Sequence, residues 1–162
     1  MNPKYTTLPI STDDGVFQAA YSEQGLAALT FPGGKAKTKA GSAPAHLAAW
    51  HELTAAAVRA VLAGKPVGKL PPLDLTGGTA FQQRIWRALQ GIPAGRTVSY
   101  GELAGKIGKP KAARAVGGAC GANPVPVLIP CHRVLAAGGG LGGFTSGLDW
   151  KRKLLAREGV EV

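Results

Sequence analysis

Residues 99–121 read SYGELAGKIGKPKAARAVGGACG, and this stretch decides how the second half of the chain is interpreted. Ser99 or Tyr100 is a suitable start for a short helix that continues to about Ile107. Gly108 then supplies a tight turn. The first part of the stretch therefore predicts one short helix followed by a turn.

The second part of the stretch, Lys109–Gly121, is predicted to form another short helix, with Pro110 tolerated in its first turn. Lys111 and Arg114 add positive charge to this helix. Two short helices joined by a glycine-containing turn are typical of a helix-turn-helix, which places its second helix against DNA.

The elements on either side of this pair are also predicted to be mostly helical. Thr79 is a plausible N-cap for a helix that runs to about Gln90. Val125–Ile129 is a short apolar run between two prolines, and we expect it to pass through the core. After a glycine-rich loop at 138–147, Leu148–Arg157 is predicted as a closing helix.

The first part of the chain has a different pattern, in which turn formers separate short strands. The predicted strands, which would form a small antiparallel sheet, are Lys4–Ile10, Val16–Tyr21 and Leu26–Phe31. Lys35–Pro44 is rich in glycine and lysine and predicts a loop. Apolar residues at helical intervals from Ala45 to about Ala63 predict one amphipathic helix, which ends at Gly64.

Residues 64–78 carry three prolines and four glycines, the composition of a linker between two units. We therefore predict domains at 1–74 and 75–162. The fold class is α+β, with a small N-terminal antiparallel-sheet-plus-helix domain followed by a mostly helical C-terminal domain with a helix-turn-helix.

Charge is unevenly distributed between these two halves. Residues 1–74 hold seven Lys/Arg and five Asp/Glu, a net charge of +2, whereas residues 75–162 hold twelve and four, a net charge of +8. A basic half suits a polyanionic partner such as nucleic acid, but it also fits a basic face that only aids solubility. Charge alone does not decide between them.

Several function classes are disfavoured. No apolar run approaches the roughly 20 residues needed to cross a bilayer, and the N-terminus lacks the apolar segment of a secretion signal, so we expect a cytoplasmic protein with no membrane partner. The two cysteines, Cys120 and Cys131, and the three histidines lack the spacing of a metal site. We predict no metal and no cofactor. Thiols in a reducing compartment stay free.

Pro130–Val134 places the thiol of Cys131 directly before the imidazole of His132. A thiol is a weak nucleophile at neutral pH until a base or positive surroundings favour its thiolate. Cys131 is therefore a candidate nucleophile. The alternative is an inert cysteine in the core, because free cysteine is among the most buried residue types.

Pro130–Val134, preceded by Asn123–Ile129, resembles the active-site motif of the O6-alkylguanine-DNA alkyltransferases, the methylated-DNA–protein-cysteine methyltransferases. Further similar segments follow in family order: Phe81–Trp86, Val98–Gly101, Ala112–Gly118 and Lys151–Glu158. The resemblance covers about residues 76–159. Over residues 1–75 it amounts to a length and a strand-then-helix order that would fit the family's small, ribonuclease H-like N-terminal domain.

The resemblance implies specific roles around the thiol. Cys131 would be the nucleophile and His132 would take its proton through a bridging water, while Glu158 orients and polarises His132. Asn123 would brace the turn around the thiol through backbone hydrogen bonds. Tyr100 would assist extrusion of the target nucleotide and donate a hydrogen bond to the guanine ring, so that the base departs neutral.

The resemblance also implies how DNA and the base are held. Arg114 would fill the gap left in the base stack when the nucleotide is flipped out. Small residues let the second helix lie close to the minor groove, and those assigned to this contact are Ala112, Ala113, Gly117 and Gly118. The base pocket would comprise the Val134 backbone, Phe144 and Thr145. Phe144 stands where the family usually has tyrosine, so one hydrogen bond to the base is absent. Cys120 is interpreted as a small apolar filler or wedge rather than a second nucleophile.

Three functions fit to different degrees. The first is a DNA repair protein that flips O6-alkylguanine, and O4-alkylthymine, out of duplex DNA and transfers the alkyl group irreversibly to its own Cys131, acting once as a monomer. The second is a non-catalytic protein that binds alkylation damage, in which the nucleophilic cysteine is replaced. The third is a thiol hydrolase, which explains neither the helix-turn-helix nor the basic half.

Overall fold

The computed structural model describes residues 5–34 and 44–162. Its first three elements are strands that form an antiparallel sheet. The strands are β1 (Thr6–Thr12), β2 (Gly15–Tyr21) and β3 (Leu26–Thr30), in the spatial order β1-β2-β3. The predicted antiparallel sheet is confirmed. Lys4, where the first strand was expected to begin, and residues 35–43 of the expected loop lie outside the described residues.

Helix α1 (Ala45–Leu62) follows the sheet and buries one face, which includes Leu47, Val58 and Val61. It ends at the turn that contains Gly64, whose positive φ of 66° suits a glycine. The expected helix and its end are therefore both observed. The next residues run without helix or strand to Thr79.

Helix α2 (Ala80–Leu89) begins with a capping box. The Thr79 side chain accepts a hydrogen bond from the Gln82 backbone N–H, and the Gln82 side chain accepts one from the Thr79 backbone N–H. Its buried face holds Trp86, whose indole N–H donates to the Ala119 carbonyl at 2.8 Å. This bond ties α2 to the later helix that carries Ala119.

Two short helices occupy the stretch predicted as a helix-turn-helix. Ser99 caps α3 (Tyr100–Lys106), and the turn after α3 contains Gly108 with φ of 77°. Helix α4 (Ala113–Gly121) then packs against α3. The first helix, the glycine turn and the end of the second helix lie where the sequence predicted them.

The predicted start of the second helix at Lys109 is wrong. Residues 109–112 form a turn closed by a hydrogen bond from the Ala112 N–H to the Lys109 carbonyl at 2.9 Å. The residue before a proline is disfavoured in helical geometry, which applies to Lys109 before Pro110. The helix therefore starts only at Ala113, once the chain has passed the proline.

The segment that precedes Cys131 passes through the core. Val125, Val127 and Ile129 are at most 1% exposed, which agrees with the expectation for the apolar run. A 3-10 turn at Cys131–Arg133 comes next, followed by β5 (Val134–Leu135). Strand β5 pairs in parallel with β4 (Val98–Ser99), an interaction that the sequence did not predict.

Helix α5 (Leu148–Arg157) closes the chain with the predicted bounds. The core is continuous across residue 75, because buried side chains of the sheet and α1 join those of α2 to α5 in one cluster. Leu29 of β3 also donates a backbone hydrogen bond to the Pro124 carbonyl at 2.9 Å. The division at residue 75 stays a prediction.

None of the helices within the described ranges combines the length and apolar character that a membrane crossing requires.

Candidate active site

A cavity of about 1010 Å³ lies where the N-terminal sheet meets the C-terminal helices. Residues 29–34, at the end of β3, form one wall, and Cys131 lies on the other side. The predicted site residues that line the cavity are Tyr100, Ala113, Arg114, Gly117, Asn123, Cys131, Phe144 and Thr145. The predicted site residues that do not line the cavity are His132, Glu158, Val134, Ala112 and Gly118.

Cys131 begins the 3-10 turn and is only 6% exposed. Its backbone N–H donates to the Ile129 carbonyl at 2.8 Å, which fixes the turn against the buried run. Burial raises the pKa of the Cys131 thiol, while the Asn123 side chain and the positive charge of Lys151 act in the opposite direction. The resting group is therefore a thiol, which needs a base to become a nucleophile.

Asn123 connects both ends of the segment before Cys131. Its side-chain amide donates to the Ile129 carbonyl at 2.8 Å, and its side-chain oxygen accepts from the Val125 N–H at 2.9 Å. These are the kinds of backbone hydrogen bond expected of a residue that braces the turn around the thiol.

His132 is completely buried, and its Nε2 lies 3.0 Å from Oε1 of Glu158. A carboxylate can only accept, so Nε2 carries the hydrogen and Nδ1 keeps a free lone pair. Within the described residues, this Nδ1 is the one buried side-chain nitrogen or oxygen without a hydrogen-bond partner. Burial lowers the pKa of His132 and Glu158 partly opposes this, so the imidazole is neutral and able to accept a proton.

Glu158 is ionised despite a side chain that is only 2% exposed. Burial alone would raise its pKa, but hydrogen bonds from His132 and Arg133 outweigh burial and lower the pKa to about 2. Arg133 Nε contacts the two carboxylate oxygens at 3.0 and 3.1 Å, and its Nη2 donates to Oε2. The carboxylate therefore stabilises a positive charge on His132 when the imidazole takes a proton.

Arg133 and Lys151 are structural members of the site whose contacts sequence reasoning missed. Arg133 also donates to the Ile92 carbonyl at 2.6 Å, and its contact with Glu158 spans 25 positions in the chain. Lys151 is completely buried, and its Nζ donates to the carbonyls of Val134 at 2.7 Å and Gly143 at 3.1 Å. Nothing in the local pattern distinguishes these two cations from the other ten in the basic half.

Tyr100, the first residue of α3, is a half-buried wall of the cavity. A Cβ at Gly142 would lie 3.0 Å from its hydroxyl oxygen, so the glycine-rich loop packs directly against the phenol. Burial raises the pKa of Tyr100, which keeps the hydroxyl protonated and able to donate. Arg114, on α4, is exposed and also lines the cavity.

Phe144 and Thr145 lie on the loop that closes the cavity. The Phe144 ring meets Phe31 edge-on, with centroids 6.0 Å apart, so the loop contacts the end of the N-terminal sheet. Thr145 donates its hydroxyl to the Gly121 carbonyl at 2.8 Å, which joins the same loop to the end of α4. Cys120 lines this cavity too, but burial and the nearby Cys131 raise its pKa to about 12.

The fold and the site together define a protein with a thiol on a cavity wall, an imidazole next to it in the chain and two short helices beside the cavity. A family model described as the DNA-binding domain of 6-O-methylguanine DNA methyltransferase matches residues 80–160. The chain therefore belongs to the 6-O-methylguanine DNA methyltransferase family.

Two curated relatives match the same half of the chain. A methylated-DNA–protein-cysteine methyltransferase of Mycolicibacterium paratuberculosis is 59% identical over 86 residues, which is 53% of this chain and 52% of the relative. The bifunctional transcriptional activator/DNA repair enzyme Ada of Escherichia coli is 56% identical over 87 residues, 54% of this chain and 24% of Ada. The matched region thus spans about half of the M. paratuberculosis relative and about a quarter of Ada.

A solved structure extends the likeness to both halves. The crystal structure of Mycobacterium tuberculosis OGT in complex with DNA has a TM-score of 0.79 and 39% sequence identity, and covers 95% of this chain and 91% of that chain. The family resemblance seen in the C-terminal half of the sequence is confirmed, and the fold of the N-terminal half follows the same family.

Proposed function

We propose that this protein repairs alkylated DNA by transferring an alkyl group from O6 of guanine, or O4 of thymine, irreversibly to its own Cys131. The observation that carries the proposal is the thiol of Cys131 on the cavity wall, followed by an imidazole that an ionised carboxylate holds with Nδ1 free. The names of the relatives, and the DNA in the complex of the M. tuberculosis structure, support the same activity.

The chemistry balances with this chain's own residues. The Cys131 proton passes through a bridging water to Nδ1 of His132, and Glu158 stabilises the imidazolium. Sulfur then forms a bond to the alkyl carbon as the bond from that carbon to the base oxygen breaks, and the electron pair stays on the base. Tyr100 donates a hydrogen bond to the guanine ring, the departing base takes up one proton from water and leaves neutral, and His132 returns its proton to the bridging water.

The transfer needs no cofactor and occurs once per molecule. A thioether has no easy leaving path, and among the described residues none beside Cys131 supplies a group that would regenerate the thiol. We therefore propose that the protein is consumed by its reaction and acts as a monomer.

Double-stranded DNA would bind through the minor groove, with α3 and α4 acting as a helix-turn-helix. The exposed Arg114 lines the cavity, so its guanidinium is close enough to fill the stack when a base enters. Helix α4 and the residue that precedes it present small side chains that permit close backbone approach: Ala112, Ala113, Gly117 and Gly118.

In the cavity, the base would stack on Phe144 and lie beside Thr145, both of which line it. The Val134 carbonyl already accepts a hydrogen bond from Lys151, and its contact with the base stays a prediction.

The decisive experiment uses duplex DNA that carries a radiolabelled methyl group on O6 of one guanine. Alkyl transfer moves the label to the protein, on the peptide that contains Cys131, whereas a damage-binding protein leaves it on DNA and a hydrolase releases it to solution. Cys131→Ala should bind the same DNA and take up no label. Label that stays on the DNA, or full uptake by Cys131→Ala, would contradict the proposal.

A further inference from the structure

The turn between β1 and β2 reaches across the molecule to the last turn of α5. The Asp14 carboxylate accepts two hydrogen bonds from the Arg157 guanidinium, at 2.6 Å from Nη1 and 2.7 Å from Nη2. Lys153, one turn earlier on α5, has its Nζ 3.7 Å from Asp14 Oδ1. The Asp14 side chain is only 13% exposed, so this pair is more sheltered than an ordinary surface ion pair.

A second contact from the N-terminal half reaches the same residue of α5. Gly64, at the end of α1, packs so closely on the Arg157 carbonyl that a Cβ at this position would clash with it. The side chain and the backbone of Arg157 are thus held from two separate elements, the β1–β2 turn and the end of α1.

Glu158, the residue after Arg157, is the C-cap of α5. Helix ends fray, because their last carbonyls lack partners within the helix. Glu158 nevertheless keeps Oε1 3.0 Å from His132 Nε2, and this contact fixes the tautomer of the neutral imidazole. A displacement of about 1 Å from a site remote from the chemistry can reduce a rate by up to about 10²-fold.

We propose that Asp14 is a positioning residue for the pair formed by Glu158 and His132, and acts by holding Arg157 and with it the end of α5. This inference rests on the proposed alkyl transfer. It gives the N-terminal half a part in the reaction, although that half supplies none of the reacting atoms.

The first test measures the single-turnover rate of alkyl transfer from the free base O6-benzylguanine, which removes DNA binding from the comparison. Asp14→Ala and Asp14→Asn should both react several-fold more slowly, by about three- to tenfold, because the end of α5 loses its bidentate partner. Asp14→Glu keeps the carboxylate and should recover most of the rate. The final amount of alkylated protein measures the folded fraction separately from the rate.

Arg59→Ala is a matched control. Arg59, on α1, donates from Nε and Nη2 to the Ser11 carbonyl of β1 at 3.2 and 3.0 Å. These bonds tie the same hairpin to α1 and do not involve α5. Its loss should leave the rate unchanged. An equal loss in Arg59→Ala and Asp14→Ala would mean that the hairpin affects only stability, which would overturn the proposal.

A double-mutant cycle with Glu158→Gln separates positioning from a general structural effect. If Asp14 acts through Glu158, adding Asp14→Ala to Glu158→Gln should change the rate little.

The pH–rate profile gives a second test of positioning. The charged groups that face His132 are Glu158, Arg133 and Lys151, and those that face Asp14 are Arg157 and Lys153. Since Glu158 raises the pKa of His132, its displacement in Asp14→Ala should also move the acid limb of the pH–rate profile to lower pH.

Two further results would also overturn the inference: a rate for Asp14→Ala within about twofold of the unaltered protein, or the same loss in the Glu158→Gln background. Absence of any transfer by the unaltered protein would instead contradict the proposed function, and this inference with it.

Discussion

Helix α4 and the 3-10 turn at Cys131–Arg133 line the same cavity, and each contributes a cysteine to it. Burial raises the pKa of both thiols. The two thiols differ in the residue that follows each of them in the chain. Cys131 is followed by His132, which Glu158 holds, whereas Cys120 is followed by Gly121. We therefore propose that Cys131 is the reactive thiol because a positioned base follows it, and that exposure to the cavity alone leaves Cys120 unreactive. We assign the chemistry to the turn and the contact with DNA to α4.

The largest effect should follow from Glu158→Gln, which tests the turn. Without the carboxylate charge, His132 stabilises an acquired proton poorly, and transfer should slow by about 10²-fold or more on both duplex DNA and the free base. Because Glu158 raises the pKa of His132, the acid limb of the pH–rate profile should also move to lower pH. A rate and pH profile equal to those of the unaltered protein would remove Glu158 from the mechanism.

The same carboxylate predicts a pH dependence of stability. The pKa of Glu158 falls from its ordinary value of 4.5 to about 2, so its contribution is present above pH 4.5 and is lost as pH falls toward 2. Acid unfolding of the unaltered protein and of Glu158→Gln should therefore differ most above this window and converge below it.

The next effect tests α4. Arg114→Ala should slow repair of duplex DNA by about tenfold or more but leave transfer from O6-benzylguanine unchanged, because only the duplex reaction has to unstack a base. Lys111→Ala is the matched control, since Lys111 is an exposed cation in the preceding turn that does not line the cavity. It should weaken DNA binding slightly and in a salt-dependent way. Equal losses on both substrates for Arg114→Ala would give Arg114 a part in the fold or the chemistry.

A smaller effect is expected in the spent protein. A methyl group on Cys131, which is only 6% exposed, adds volume beside the side chains that bury the thiol and should lower the free energy of unfolding by roughly 1–3 kcal/mol. The measurement compares thermal unfolding of fully methylated and untreated protein, with Cys131→Ala exposed to the same DNA as the control. A methylated form that melts at an equal or higher temperature would show that the site has room to spare.

The smallest effect on alkyl transfer is expected from a substitution of the other cysteine, Cys120. Cys120→Ser should keep most of its transfer activity, because the Cys120 thiol has a pKa of about 12 and no imidazole follows it in the chain. Complete inactivity of this variant, in a protein that remains folded, would show that the roles of the two cysteines had been assigned wrongly.

The sequence predicted elements well where the signal is local. The helix at Leu148–Arg157, the cap at Thr79 and the three strands each depend on neighbouring residues, and all are present. The start of α4 was misplaced because a proline is allowed in a first helical turn, so the pattern at Pro110 does not show which side of the residue is helical.

Contacts between residues that are far apart in the chain could be identified only from a family motif or from the structure itself. Glu158 lies 26 residues from His132, and only the order of family motifs paired them. The two-residue pairing of β4 with β5 is too short to leave a periodic pattern. The buried contacts of Arg133 and the link from Asp14 to Arg157 have no counterpart in spacing or composition, so the sequence could not predict them.

We propose that one thiol accepts one alkyl group, and the stoichiometry of transfer measures this. Protein at known concentration is mixed with a large excess of duplex DNA containing labelled O6-methylguanine, and methyl groups per protein molecule are followed to completion by intact-protein and peptide mass spectrometry. We expect a single rapid phase that ends at one methyl group per molecule, on the peptide that carries Cys131. Continued turnover, or methylation at Cys120 with Cys131 unmodified, would contradict it.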